Sequence, residues 1–137
     1  MICAADTSVL LDVLLADPVF GPRSRAALQA AHRQGSVIAC EVVWAEIGAR
    51  FPDEVEATSA MRQLGVEYRP MQLYHALAAG SAWSAYRRAG GPRTRVVADF
   101  LVGAHAMHAA DRLLTRDRGF YRTYFSGLEI LDPSIVA

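Results

Sequence analysis

Residues 1–15 read MICAADTSVLLDVLL, and this stretch decides the fold. ICAAD (2–6) is a short apolar run that reads as a strand. A helix follows over SVLLDVLLA (8–16), with Asp6 or Thr7 placed to cap it. A strand that turns into a helix within two residues is the start of an α/β unit, and the chain repeats that unit outward from here. Pro18, Gly21 and Pro22 mark a turn, RSRAALQAAHRQ (23–34) a polar-faced helix ending at Gly35, and SVIAC (36–40) a second strand. EVVWAEIGARF (41–51) is amphipathic and helical, closed by Pro52. DEVEATSAMRQL (53–64) opens with acids, as a helix N-terminus favours, and stops at Gly65.

The second half continues the alternation. VEYRP (66–70) reads as a third strand, and LYHALAAGSAWSAYRRA (73–89) as a long helix ended by Gly90, Gly91 and Pro92. RVVADFLVGAHAMHAA (95–110) is a helix so rich in Ala and Gly that it must be packed closely on several sides. RLLT (112–115) is a fourth strand, RGFYRTYF (118–125) a short helix and LEIL (128–131) a fifth strand. Strands separated by helices predict an α/β fold: a three-layer α/β/α sandwich around a central, mostly parallel five-stranded sheet. With 137 residues, 53% hydrophobic and 20% charged, the chain is expected to form a single domain over 1–137 with a substantial core.

The apolar runs are broken within about ten residues by charge or glycine, too soon for a membrane span. The first residues carry no basic segment or cleavage signal, so the expected compartment is the cytoplasm. Cys3 and Cys40 both sit in apolar runs and read as buried thiols, although the sequence does not rule out a disulfide between them.

In parallel sheets, ligands gather at the carboxyl ends of the strands. Asp6 follows ICAA, and Asp117 lies just beyond RLLT. Two further acids interrupt apolar helical stretches, Glu46 in VVWAEIGA (42–49) and Asp99 in ADFLVGAHA (98–106). An ionised carboxylate is costly to bury there unless it is paired or bound to a cation. Each also has an ordinary reading: Asp99 as a surface residue near a helix start, Glu46 as a water-facing residue of an amphipathic helix, Asp6 and Asp117 as caps.

The ordered set DTSVLLD (6–12), VVWAEIGA, ADFLVGAHA and RLLTRDRGFY (112–121) resembles the PIN domain, specifically the VapC-type toxins of bacterial type II toxin–antitoxin systems. The resemblance runs nearly end to end. It implies an endoribonuclease in which Asp6, Glu46, Asp99 and Asp117 form an acidic quartet holding Mg²⁺, with Mn²⁺ able to substitute. It also implies a cognate antitoxin protein as partner and a homodimer. Ser8 and Thr115, two residues from Asp6 and Asp117, would orient metal waters or carboxylates, or else act as ordinary caps.

Hard divalent cations take oxygen ligands, and Mg²⁺ accepts one or two carboxylates while keeping several waters. Without the ion, four clustered acids repel and carboxyl pKa values rise. Net charge is zero, so no global basic field advertises an RNA partner, but its distribution is uneven. Residues 1–70 carry six Arg against nine acids, residues 71–137 eight Arg against five, and lysine is absent. Twenty-four alanines and no asparagine point to a GC-rich genome as the main source of that lysine deficit. Arg93, Arg95 and Arg116 stand nearest in sequence to Asp99 and Asp117 and are the expected phosphate contacts, with solvated surface the alternative.

His105 and His108, three apart on a helix, read as packing residues rather than zinc ligands, because no further ligand is near. Trp44, Tyr74, Trp83 and Tyr86 read as core or dimer contacts. A phosphoacceptor receiver and a haloacid-dehalogenase phosphatase both require a lysine that this chain lacks; the latter also wants Asp-x-Asp where this chain has Asp6-Thr7-Ser8. The rival of a different class is a catalytically silent PIN-like module that binds RNA or protein.

Overall fold

The computed structural model describes residues 1–92 and 97–135. Ile2–Ala5 forms β1, which passes through Asp6 into α1 (Thr7–Leu14); α2 (Gly21–Gln34) then leads to β2 (Ser36–Ala39). Helices α3 (Glu41–Gly48) and α4 (Glu54–Gln63) precede β3 (Val66–Tyr68). The hairpin of α5 (Leu73–Arg88) and α6 (Val97–Ala109) leads to β4 (Arg112–Leu114), and α7 (Arg118–Tyr124) to β5 (Glu129–Leu131). A 3-10 turn over Pro133–Ile135 follows. All four strand pairings are parallel, so the sheet is wholly parallel rather than mostly so. Helix α3 ends at Gly48, short of the expected Pro52 boundary, because the chain turns at Arg50 and Phe51 before the proline.

The strand order is β3-β2-β1-β4-β5. The chain winds outward from β1 to β3, then returns across the sheet to lay β4 on the other side of β1. Because parallel crossovers are right-handed, the two directions of winding put α1–α4 and α5–α7 on opposite faces of the sheet. The direction of winding reverses between β1 and β4, which opens a crevice beyond their carboxyl ends. Asp6 and Asp117 stand at that crevice.

The central strands are short but dry. Cys3–Ala5, Val37–Ala39 and Leu113–Leu114 are all nearly inaccessible, as expected for strands covered on both faces. Both cysteines are free, buried thiols. The layer beyond the sheet on the α6 side is aromatic: Phe100 meets Phe120 edge-on at 5.1 Å and Tyr86 at 5.4 Å. The close packing expected of α6 is met at Gly103, where a β-carbon would run into the ring of buried Phe125. Among the described residues no helix is long and apolar enough to cross a membrane.

Two glycine substitutions should therefore act in opposite directions. Gly103→Ala overpacks the α6–Phe125 contact and should destabilise by about 1–3 kcal/mol. Gly80→Ala, at an exposed position of α5 with open space around it, should stabilise by about 0.8–1.0 kcal/mol through helix propensity. Urea denaturation midpoints of the two variants check both signs.

Candidate active site

Backbone pairing brings the first carboxylate into place. Ala5 is in register with Leu114, and one step further the Asp6 N–H donates to the Leu114 carbonyl at 2.9 Å. Asp6 is thus the residue at which β1 leaves the sheet while still tied to β4. Its backbone is extended and it caps α1, with Oδ1 accepting the Thr7 N–H at 2.8 Å. The other oxygen, Oδ2, accepts the Thr115 hydroxyl at 2.7 Å. Thr115 is fully buried, and its Oγ1 in turn accepts the Asp117 N–H at 3.0 Å. One threonine hydroxyl therefore links the end of β1 to the loop after β4. Asp117 occupies the N-cap position of the short helix α7.

Glu46 enters from α3. Val43 and Ile47 bury one face of that helix, and Glu46 lies exposed beside them. It faces water, as the amphipathic reading allows, and it also accepts the Thr7 hydroxyl at 2.7 Å through Oε1. Asp99 lies in the first turn of α6, half-buried.

The charges of Glu46 and Asp99 both reach Asp6. Its pKa is pushed up from 3.8 to about 6, mainly by desolvation and further by the repulsion of these two acids. Hydrogen bonds from Thr115 and Thr7 oppose that rise without cancelling it. The structure thus brings Asp6, Glu46 and Asp99 into one electrostatic neighbourhood and ties the Asp117 backbone to it through Thr115.

Among the described residues, no three His, Cys, Asp or Glu side chains stand at spacings that already hold an ion. The donor set nevertheless fits a hard cation. It is all carboxylate, it is mutually repulsive, and Mg²⁺ needs only one or two direct protein ligands. The hydroxyl of Ser8, the second residue of α1, is buried with no hydrogen-bond partner among the described residues.

Of the arginines expected at phosphate, Arg93 and Arg95 lie outside the described residues. Arg116 is placed differently from the expectation. Its Nε donates to Asp12 Oδ2 at 2.8 Å and its Nη2 to Asp12 Oδ1 at 3.0 Å, and its guanidinium lies 4.1 Å from the centre of the Phe20 ring. Its Nε and Nη2 are engaged by this buried carboxylate.

Asp12 carries the same signal in the sequence as Glu46 and Asp99, an acid inside an apolar helix, and its partner Arg116 lies 104 positions away. Thr7 carries no such signal, because a threonine at a helix start is commonplace.

The histidines behave as packing residues. The Gln72 N–H donates to Nδ1 of buried His75 at 3.0 Å, so Nε2 carries the proton and has no lone pair for a metal. A ring nitrogen of His105 bonds the Arg69 backbone, and burial lowers the pKa of both imidazoles. His75 stacks on His108 at 5.9 Å and meets His105 edge-on at 5.6 Å.

The model of the family described as PIN domain matches residues 4–126. The chain belongs to the PIN domain family. Its fold is similar to that of solved structures along almost the whole chain. One is a chain of VapBC2 from Rickettsia felis, bound in that crystal to a DNA fragment from its promoter. It has a TM-score of 0.75 at 16% identity, covering 96% of this chain and 98% of that one. A toxin–antitoxin complex from Klebsiella pneumoniae gives a TM-score of 0.70 at 16% identity, covering 96% and 97%. FitAcB from Neisseria gonorrhoeae gives 0.67 at 20% identity, covering 99% and 100%. No curated protein matches the chain. At these identities the likeness is one of fold.

The Asp6 environment sets a pH dependence. Because its folded pKa of about 6 lies above the ordinary 3.8, the neutral form is favoured by folding. That stability is fully present below about pH 3.8 and is lost as pH rises through about 6. Asp6→Asn cannot ionise, so in chelator its stability relative to wild type should climb between pH 4 and 7. Parallel denaturation curves across that range check the slope; a flat difference would contradict the burial of charge at this position.

Proposed function

We propose that this PIN domain is a divalent-metal-dependent endoribonuclease and the toxin of a toxin–antitoxin pair. The observation that carries the reading is the half-buried Asp6 carboxylate, raised in pKa by desolvation and by the charges of Glu46 and Asp99, and tied through Thr115 to Asp117. Concentrating acids at the crevice of a parallel sheet costs stability that a bound cation returns.

Asp6, Glu46, Asp99 and Asp117 would hold Mg²⁺ or Mn²⁺, directly or through water. When bound, the ion lowers the pKa of its water and stabilises charge on the scissile phosphate. Thr115 keeps Asp6 Oδ2 aimed by donating to it, and Thr7 does the same for Glu46. Ser8, with its unmatched hydroxyl, is suited to orient a water at this site. Arg93 and Arg95 supply positive charge next to Asp99 in sequence and would hold the RNA backbone.

The toxin assignment draws on complexes of similar fold, one of them described as a toxin–antitoxin complex. A cognate antitoxin would cover the crevice and offer a basic side chain to the acids, and the chain would work as a cytoplasmic homodimer. Expression of the chain alone should then arrest growth, and co-expression of the adjacent small gene should restore it.

Purified protein should cleave RNA with Mg²⁺ or Mn²⁺ and stop in excess EDTA. Activity that persists in chelator, once contaminating ribonucleases are removed, overturns the mechanism, and no cleavage of any RNA leaves the silent binding module. Asp99→Asn separates a metal-site acid from a helix cap. In EDTA it should melt higher than wild type, because one like charge is gone. It should also lose most of the Mn²⁺-induced stabilisation, which for wild type is about 2.7 kcal/mol when the ion is at a hundred times its Kd. A lower apo melting temperature with an undiminished Mn²⁺ shift removes Asp99 from the site. Neutralising Arg93 and Arg95 together should weaken RNA binding and flatten its salt dependence. The slope should fall by about 0.7 for each single-strand phosphate that is no longer neutralised.

A further inference from the structure

We infer that Arg116 and Asp12 form a positioning device that holds the loop after β4, and with it Asp117, at a fixed offset from Asp6. This rests on the nuclease reading for its functional consequence, though not for its structural one.

Successive residues of that loop reach opposite ends of α1. Thr115 donates to Asp6, the cap at the start of the helix, at 2.7 Å. Arg116 turns the other way and grips Asp12, six residues further along, at 2.8 and 3.0 Å. Six residues of α-helix span about 9 Å, so α1 acts as a rigid spacer with the loop fastened at both ends. Asp117 comes next in the chain, its N–H held by Thr115.

The anchor is built rather than incidental. Asp12 is 4% exposed, and Ser24, wholly buried on α2, donates to its Oδ2 at 2.7 Å. The guanidinium is pressed on the Phe20 ring from the turn before α2. Three separate segments, α1, the turn into α2 and the loop after β4, thus converge on one ion pair. A two-point guanidinium–carboxylate grip fixes direction as well as distance, which a lone threonine hydrogen bond does not. Arg116 is accordingly a positioning residue, acting on the metal-site acids through the loop backbone without touching substrate.

The test replaces the polar cluster by apolar residues of similar size, Asp12→Leu with Ser24→Ala and Arg116→Met. Such exchanges often preserve or raise stability. Three readouts are taken: hydrogen exchange of the Asp117 amide in chelator, Mn²⁺ affinity by calorimetry, and kcat and KM on RNA. The expected result is a folded protein whose Asp117 amide exchanges at least about ten-fold faster. Its Mn²⁺ affinity and kcat should each fall about 10–100-fold, as when supporting hydrogen bonds around a metal site are removed, while KM for RNA stays close to wild type.

Unchanged exchange and kcat in the folded variant overturn the proposal and leave the pair as fold stabilisation. A raised KM and a flattened salt slope with unchanged exchange overturn it in favour of a direct phosphate contact. Arg116→Lys provides a second test that keeps a cation opposite Asp12 and gives up the two-point grip. Exchange and kcat intermediate between wild type and the triple variant support the device, and values equal to wild type refute it. If wild-type protein neither binds Mn²⁺ nor cleaves RNA, the nuclease reading fails while the amide exchange still reports on the strap.

Discussion

A carboxylate forced out of water at the point where two parallel strands diverge is the constraint on which this structure turns. Asp6 cannot retreat from that place, because its own N–H continues the β1–β4 ladder and its side chain begins α1. Burial and the charges of Glu46 and Asp99 make its ionisation expensive, and two hydrogen bonds recover only part of that cost. The surrounding polar architecture follows from it: Thr115 beneath it, Thr7 beside it, and acids brought from α3 and α6 to the same crevice. That unfavourable arrangement is the ground of the metal-site proposal.

The topology explains why Asp6, Glu46 and Asp99 share one neighbourhood although they lie far apart in the chain. Reversal of the winding direction between β1 and β4 leaves their carboxyl ends uncovered, as in other doubly wound sheets. The first turn of α6 and the exposed side of α3 then border the same opening. The matching of this chain to the PIN family along residues 4–126 agrees with that geometry. Fold likeness at 13–20% identity shows how little of the remaining sequence the architecture needs.

A second polar cluster lies away from the crevice and is of a different kind. Asp12, Ser24 and Arg116 satisfy one another, with the guanidinium covered by Phe20. A fully paired buried cluster specifies one arrangement of the segments that meet in it, whereas the Asp6 cluster is left electrostatically unbalanced. The contrast separates a cluster whose charges are matched from one whose acids repel. The buried histidines of α5 and α6 belong with the former, since hydrogen bonding of His75 Nδ1 to the backbone removes its capacity to ligate through Nε2.

Much of this was legible in the amino-acid sequence. The alternation of short apolar runs with amphipathic stretches determined the element order and put the cap of α1 at Asp6 or Thr7, because period and chain punctuation are local properties. Acids set into apolar stretches mark Glu46 and Asp99, since a carboxylate there must reach water or a partner; in the fold Glu46 is exposed and Asp99 half-buried. Tertiary structure alone decided which side chains face each other. That Thr7 serves Glu46, that Thr115 bridges Asp6 and Asp117, and that Arg116 turns to Asp12 instead of outward all depend on residues 39, 109 and 104 positions apart meeting in space. Sequence proximity to Asp117 points Arg116 at phosphate, whereas in the fold its guanidinium pairs with Asp12, a buried carboxylate on α1 that also accepts from Ser24, and no local pattern records that pairing.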